Sequence, residues 1–150
     1  MTGIREIVVD MVKEIPGILA AIFIDKDGIP LCKAGEFKFD SYDLGAIGAV
    51  CLESCQILGG DLGQFWIENV IIEFDDMKVV QCPTAVGAML ILADKSADID
   101  VIRKEAKNNI ESLSCAKEAM EWSKGQFMPS PISQGDSELL KLISLFKEVE

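Results

Sequence analysis

The sequence predicts an α/β domain whose elements run in the order αββαβββα, followed by a linker and one more helix. Apolar residues recur at helical spacing in three long segments, and short β-rich runs bounded by turn dipeptides lie between them. The balance of 49% hydrophobic and 26% charged residues fills a core and solvates a surface, which excludes global disorder. A chain of 150 residues holds one such domain, expected over residues 1–122, with a linker at 123–136 and an amphipathic helix at 137–150.

Ile4, Ile7, Val8, Met11, Val12 and Ile15 share one helical face over residues 3–14, with Thr2 placed to cap the start and Pro16-Gly17 to stop it. Ile18 to Ile24 is a continuous apolar run closed by Asp25-Lys26-Asp27-Gly28, a turn signal, before Ile29-Pro30-Leu31-Cys32. Two hairpin strands fit, and Pro30, which has no N–H, makes the second short or an edge strand. Asp40 or Ser41 caps a helix over 41–58 whose stripe is Leu44, Ile47, Cys51, Cys55 and Leu58, with Gly59-Gly60 as its stop. Gly45, Ala46, Gly48 and Ala49 let another backbone come close, so both sides of this helix are expected to be covered.

Residues 64–74 read as a strand, with Trp66, Val70, Ile72 and Phe74 on one parity and Phe65, Ile67 and Ile71 on the other. A turn at 75–78, a strand at Val79–Cys82 and an apolar strand at Ala85–Ala93 complete an antiparallel meander. Asp98 caps a third helix, running to about residue 122, with Ile99, Ile102, Ala106, Ile110, Leu113 and Met120 inward. Gly and Pro breaks in GQFMPSPISQG make the linker. Ser137 to Val149 forms the final helix, with Leu139, Leu142, Ile143, Phe146 and Val149 on one face; so short a helix is marginal alone and must dock on something.

A net charge of −11 and a pI near 4.4 oppose binding to phosphate backbones or anionic headgroups, both of which rely on Lys and Arg. Neither nucleic acid nor direct membrane contact is expected. The opening MTGIREIVVDMVKEIPG carries acids through an amphipathic pattern, unlike a signal peptide. Cys32, Cys51, Cys55, Cys82 and Cys115 are an odd set inside apolar segments, expected as reduced core residues in a cytoplasmic protein. Histidine is absent, which removes the commonest general acid–base and neutral metal ligand. The expectation is a protein that is not an enzyme and holds no cofactor or metal.

The element order resembles the roadblock/LC7 family, and particular residues strengthen the likeness. They are Pro16-Gly17-Ile18 through Ala21, Asp27-Gly28-Ile29-Pro30-Leu31, the small-residue helix 41–58, the strand opened by Gly63, the compact turn at 75–78, and Gly87 to Ala93 ahead of Arg103-Lys104-Glu105. The likeness covers about residues 3–113. It implies one five-stranded antiparallel sheet in a profilin-like layout, with the middle helix on one face and the other two on the opposite face. It also implies a homodimer or heterodimer joined through the middle helix and third strand, and a role as regulator or platform for small Ras-like GTPases or as an adaptor in larger assemblies. On that reading the dimer interface comprises Leu44, Ile47, Cys51, Cys55, Leu58, Trp66, Glu68, Val70 and Ile72.

Sharper readings compete with plainer ones. Cys51 and Cys55 lie one helical turn apart, as a metal or redox pair would, but a structural zinc wants further Cys or His ligands and packing is the cheaper account. Asp25, Asp27, Asp75 and Asp76 suit turns better than catalysis. Gly59-Gly60-Asp61-Leu62-Gly63 leads into a strand and lacks the GK[ST] of a phosphate loop. Trp66 is expected as an interface anchor, while Glu68 and Asn69 are either solvated or set register across the dimer. The final helix either docks on its own domain or contacts a partner through Leu139, Leu142, Ile143 and Phe146. The leading function is a dimeric scaffold binding a small GTPase. The alternatives are a tethering adaptor without nucleotide dependence and a thiol-based ligand or redox module.

Overall fold

The computed structural model describes residues 3–36 and 38–114, with side chains through Glu111. The expected linker and final helix, together with Cys115 and Met120, lie outside the described residues.

Helix α1 (Ile4–Glu14) buries Ile4, Ile7, Val8 and Met11, the face its spacing predicts. Its N-cap position falls on Gly3, which offers no side-chain hydrogen bond, and Thr2 lies outside the described residues. Gly17, at φ 87°, turns the chain into β1 (Ile18–Asp25), which pairs with β2 (Pro30–Gly35). Asp25 closes the hairpin by accepting from the N–H groups of Asp27 and Ile29 at 2.8 and 2.9 Å. Strand β2 runs three residues beyond the expected Cys32, because Lys33, Ala34 and Gly35 find partners at Ile22, Ala21 and Ala20. The register slips between Phe23 and Ile24, where Pro30 has no N–H to give.

Helix α2 (Ser41–Asp61) is capped by Asp40, which accepts from Tyr42 N at 2.8 Å. It does not stop at Gly59-Gly60 as expected. Both glycines are helical, and the ending is three residues later, where Gly63 (φ 71°) takes the left-handed position and Gln64 N donates to Gly59 O at 2.7 Å.

Strands β3 (Val70–Glu73), β4 (Met77–Pro83) and β5 (Gly87–Asp94) form the meander. The expected strand over 64–74 shrinks to four residues. Val70 pairs with Gln81, so the same register would set Glu68 opposite Pro83, which has no donor, and the ladder stops there. Helix α3 (Ile99–Ser114) starts on Asp98, which accepts from Asp100 N at 2.9 Å.

The five strands form one antiparallel sheet in the order β2-β1-β5-β4-β3, with β2 and β3 at its edges. One core lies between the sheet and α1 and α3, joining Val8 and Met11 to Phe23, Val80, Met89, Ile91 and Ile102. On the other face a smaller core joins Leu52 of α2 to Ile22, Ile24, Ala88 and Leu90. This is the layering the resemblance implies.

Gly45 and Gly48 let α2 settle on the sheet. A Cβ at Gly45 would meet the carbonyl oxygen of Gly28 at 2.1 Å, and one at Gly48 would meet Leu90 Cδ2 at 2.8 Å. Gly60 has nothing within 4 Å. Gly45→Ala should therefore lower stability by about 2 kcal/mol or more through overpacking, whereas Gly60→Ala should raise it by about 0.5–1 kcal/mol through helix propensity. Urea unfolding of both variants checks the pair, and a neutral Gly45→Ala would contradict the close approach.

Candidate protein interface

Because glycines and Leu52 occupy the inward side of α2, its larger residues point elsewhere. Ile47 is 67% exposed, Leu58 60% and Val50 62%, with Tyr42 and Leu62 also in solvent. Trp66, in the extended stretch before β3, is 78% exposed, and Phe65 and Phe74 are exposed nearby. Isolated exposed apolar residues are ordinary, but so many on one helix and the adjoining sheet edge make a candidate interaction surface.

Residues from the two elements meet in a groove of about 250 Å³ lined by Phe39, Leu44, Ile47, Ile72, Phe74, Met77, Val79, Gln81, Leu90 and Leu92. It exists because α2 lies over β1, β2 and β5 and leaves the neighbouring sheet face bare. At its floor Gln81 is buried, and its Oε1 has no hydrogen-bond partner among the described residues. An unsatisfied buried carbonyl costs about 1–3 kcal/mol, so an occupant that brings a donor gains by meeting it.

The nine residues nominated from sequence divide. Ile47, Leu58 and Trp66 are exposed, and Leu44, Cys51, Cys55, Val70 and Ile72 are half-buried, with Leu44 and Val70 leaning on the smaller core. Glu68 sits apart: its Oε2 lies 4.0 Å from Arg103 Nη2 of α3, on the opposite side of the sheet from α2. Asn69 also turns that way and accepts from Cys82 Sγ at 3.2 Å. Tyr42, Val50, Phe39, Phe65 and Phe74 were missed. The spacing of Gly45, Gly48 and Leu52, one helical face of small residues, was the signal that placed the inward side and hence the outward one.

The charge of this region is one-sided. From Phe39 through Met77 there is no Lys or Arg, while Asp40, Asp43, Asp61, Glu53, Glu68, Glu73, Asp75 and Asp76 are all present. Apart from Glu68, which faces α3, these acids would favour a partner whose apolar patch is rimmed by basic residues.

The cysteines are not uniformly core residues as expected. Cys82 is buried, but Cys32, Cys51 and Cys55 are half-buried, and all four are free thiols. Burial pushes the Cys82 thiol up to about 12, only partly opposed by Arg103. Burial, with the neighbouring Cys51 sulfur, also raises Cys55. Raised thiols are poor nucleophiles and poor ligands at neutral pH. Among the described residues no group of three or more Cys, Asp or Glu is placed to hold a metal ion, and no helix is long and apolar enough to cross a membrane.

Cys82 should stay unmodified by a thiol reagent at about pH 8 until the chain unfolds. Its raised value also sets a sign: the thiol's contribution to stability is intact below the ordinary 9.0 and fades as pH rises toward about 12. Labelling of Cys82 in the folded chain would contradict its placement.

No family model and no curated protein sequence matches the chain. Solved structures do. Myxococcus xanthus MglB superimposes with a TM-score of 0.73 at 16% identity, covering 79% of this chain and 98% of that one. A roadblock/LC7 domain from Streptomyces avermitilis gives 0.64 at 19% identity over 75% of this chain and 95% of that one. The gliding protein MglB of Thermus thermophilus gives 0.64 at 17%, covering 76% and 91%. With sheet order, helix placement and these superpositions in agreement, the chain has the roadblock/LC7 fold.

Proposed function

We propose that the chain is a non-catalytic, cytoplasmic scaffold that forms a homodimer through α2 and β3 and binds a small Ras-like GTPase across the joined α2 face. The observation that carries this is the apolar surface shared by α2, the β3 edge and the groove between them. An exposed strand edge offers unpaired backbone groups that a second copy can satisfy. About a two-fold axis, β3 would meet its mate antiparallel, keeping Val70 and Ile72 of both copies on the α2 side and merging the two grooves.

The GTPase reading is supported by the fold shared with the MglB structures and by the one-sided acidity of residues 39–77, which suits a basic-rimmed partner. The chain's two arginines give no candidate for insertion into a partner's active site. Arg5 is on α1, and Arg103, on α3, lies 3.8 Å from Asp100 and 4.0 Å from Glu68. Any stimulation of hydrolysis would come from ordering the partner's own catalytic loops. A second reading, an adaptor in a larger assembly without nucleotide dependence, draws on a related structure described as MglB in a tetrameric arrangement. The raised Cys55 thiol weighs against the redox alternative.

Binding of a Ras-like GTPase from the same source should differ by about tenfold or more between its GTP and GDP states, and should weaken as salt is raised. Equal affinity for both states would favour the adaptor, and no binding to either would remove the GTPase reading. Trp66→Glu should abolish the dimer, by light scattering, while leaving the circular dichroism spectrum intact; an unchanged dimer would remove Trp66 from the interface.

A further inference from the structure

The sheet has an open edge at each end, and the two are guarded differently. Strand β2 carries Pro30 and Lys33, residue types that discourage pairing along an edge, whereas β3 has neither. The side that each β3 residue faces follows from its partner in β4. Ile71 lies opposite Val80, which belongs to the core under α1 and α3, so Ile71 and Glu73 face α3. Val70 packs on the smaller core and Ile72 lines the groove beside α2, so both face α2. Asn69 continues the alternation, since its Oδ1 accepts from Cys82 Sγ, in the α1 and α3 core, at 3.2 Å.

The hydrogen bonds of this edge also have a phase. Phe74 N donates to Met77 O at 2.8 Å, which makes these two a hydrogen-bonded pair in the register of β3 on β4. Such pairs alternate along antiparallel strands. Val70 and Ile72 therefore bond to β4, while Ile71 and Glu73 turn their N–H and C=O groups to the open edge.

We propose that two copies join with their two-fold axis at Ile71, so that Ile71 meets Ile71 of its mate, Val70 meets Ile72, and Asn69 meets Glu73. This rests on the homodimer reading and adds to it a register and a reason for self-pairing.

Directly opposed residues of an antiparallel pair lie on the same face of the sheet, so the axis must pass through a residue pair and not between two. An axis at Glu73 sets two carboxylates against each other. One at Ile72 sets Glu73 against Ile71 and makes the two carboxylates diagonal neighbours, and one at Val70 sets Asn69 against Ile71. At Ile71 each residue meets its like. The segment Asn69-Val70-Ile71-Ile72-Glu73 is self-complementary about its middle, with apolar against apolar and amide against carboxylate. With Oδ1 of Asn69 engaged by Cys82, its NH2 group is left to donate to the carboxylate across the seam. The outward backbone groups coincide as well, because Ile71 and its mate then exchange both N–H to C=O bonds. Symmetry makes the Asn69–Glu73 contact twice, which favours a second copy of this chain over a related chain lacking either residue.

A chain carrying Val70→Cys is mixed with one carrying Ile72→Cys, oxidised with glutathione disulfide and digested without reduction for mass spectrometry. In the proposed register these positions form a non-hydrogen-bonded pair with Cα atoms about 4.5 Å apart, within disulfide reach. A link between positions 70 and 72 is expected in the mixture, with no link of 70 to 70 or 72 to 72 in either chain alone. A link of either like-to-like kind would overturn the register and leave the dimer standing. So would the lack of any link between variants that sediment as dimers when reduced. Natural-sequence chains that sediment as single copies would overturn both.

The dimer dissociation constant gives a second readout. Asn69→Asp should raise it about tenfold, because carboxylates then oppose each other twice across the seam. Adding Glu73→Gln should restore it. An unchanged constant, or a loss that Glu73→Gln does not recover, would contradict the Asn69–Glu73 contact.

Discussion

The approach of α2 to the sheet at Gly45 and Gly48 is the constraint from which the arrangement of the rest follows. Two missing side chains bring the helix backbone against Gly28 and Leu90, so the inward face of α2 is narrow and is completed by Leu52. A helix seated on so small a footprint covers only the sheet half formed by β2, β1 and β5. Its larger apolar residues face outward, and the sheet face beside it is left as a groove. The exposure of Ile47, Val50 and Leu58 is thus the other side of the same packing decision. Retaining that much apolar surface in water is unfavourable at about 25 cal/mol per Å², which is why a second molecule is the natural place for it.

The two faces of the sheet serve different ends. On one, α1 and α3 enclose the large core around Phe23, Met89 and Ile91, and this is where the stability of the domain resides. On the other, the small core beneath α2 is enough to hold the helix and no more. Charge differs between them, with no base along residues 39–77 and a mixed set on the α3 side, where Arg103, Lys104 and Lys107 sit with Glu68, Asp100 and Glu111.

Much of this was legible in the residues. The helical spacing of Ile4 to Ile15, the turn at Asp25 to Gly28, the edge position required by Pro30 and the Asp98 cap each follow from local chemistry, and each is found. What was not legible depended on registers set at a distance. Nothing local to Gln64–Asn69 says that its ladder partner would be Pro83, so a β-rich run ends as extended chain with Trp66 in solvent. The stop of α2 was misplaced because glycine is compatible with both a helix interior and a C-terminal cap, and only the positive φ of Gly63 distinguishes them. The nominated stripe on α2 lay to one side of the true outward face for a related reason: hydrophobicity marked Leu44, Cys51 and Cys55, whereas lack of side-chain volume marked the side that packs.

Sedimentation equilibrium of the purified chain at micromolar concentration tests the central claim most directly. The account requires a species of about twice 16.4 kDa, because the α2 and β3 surface is too apolar to remain in water. A stable single copy across that concentration range would contradict it.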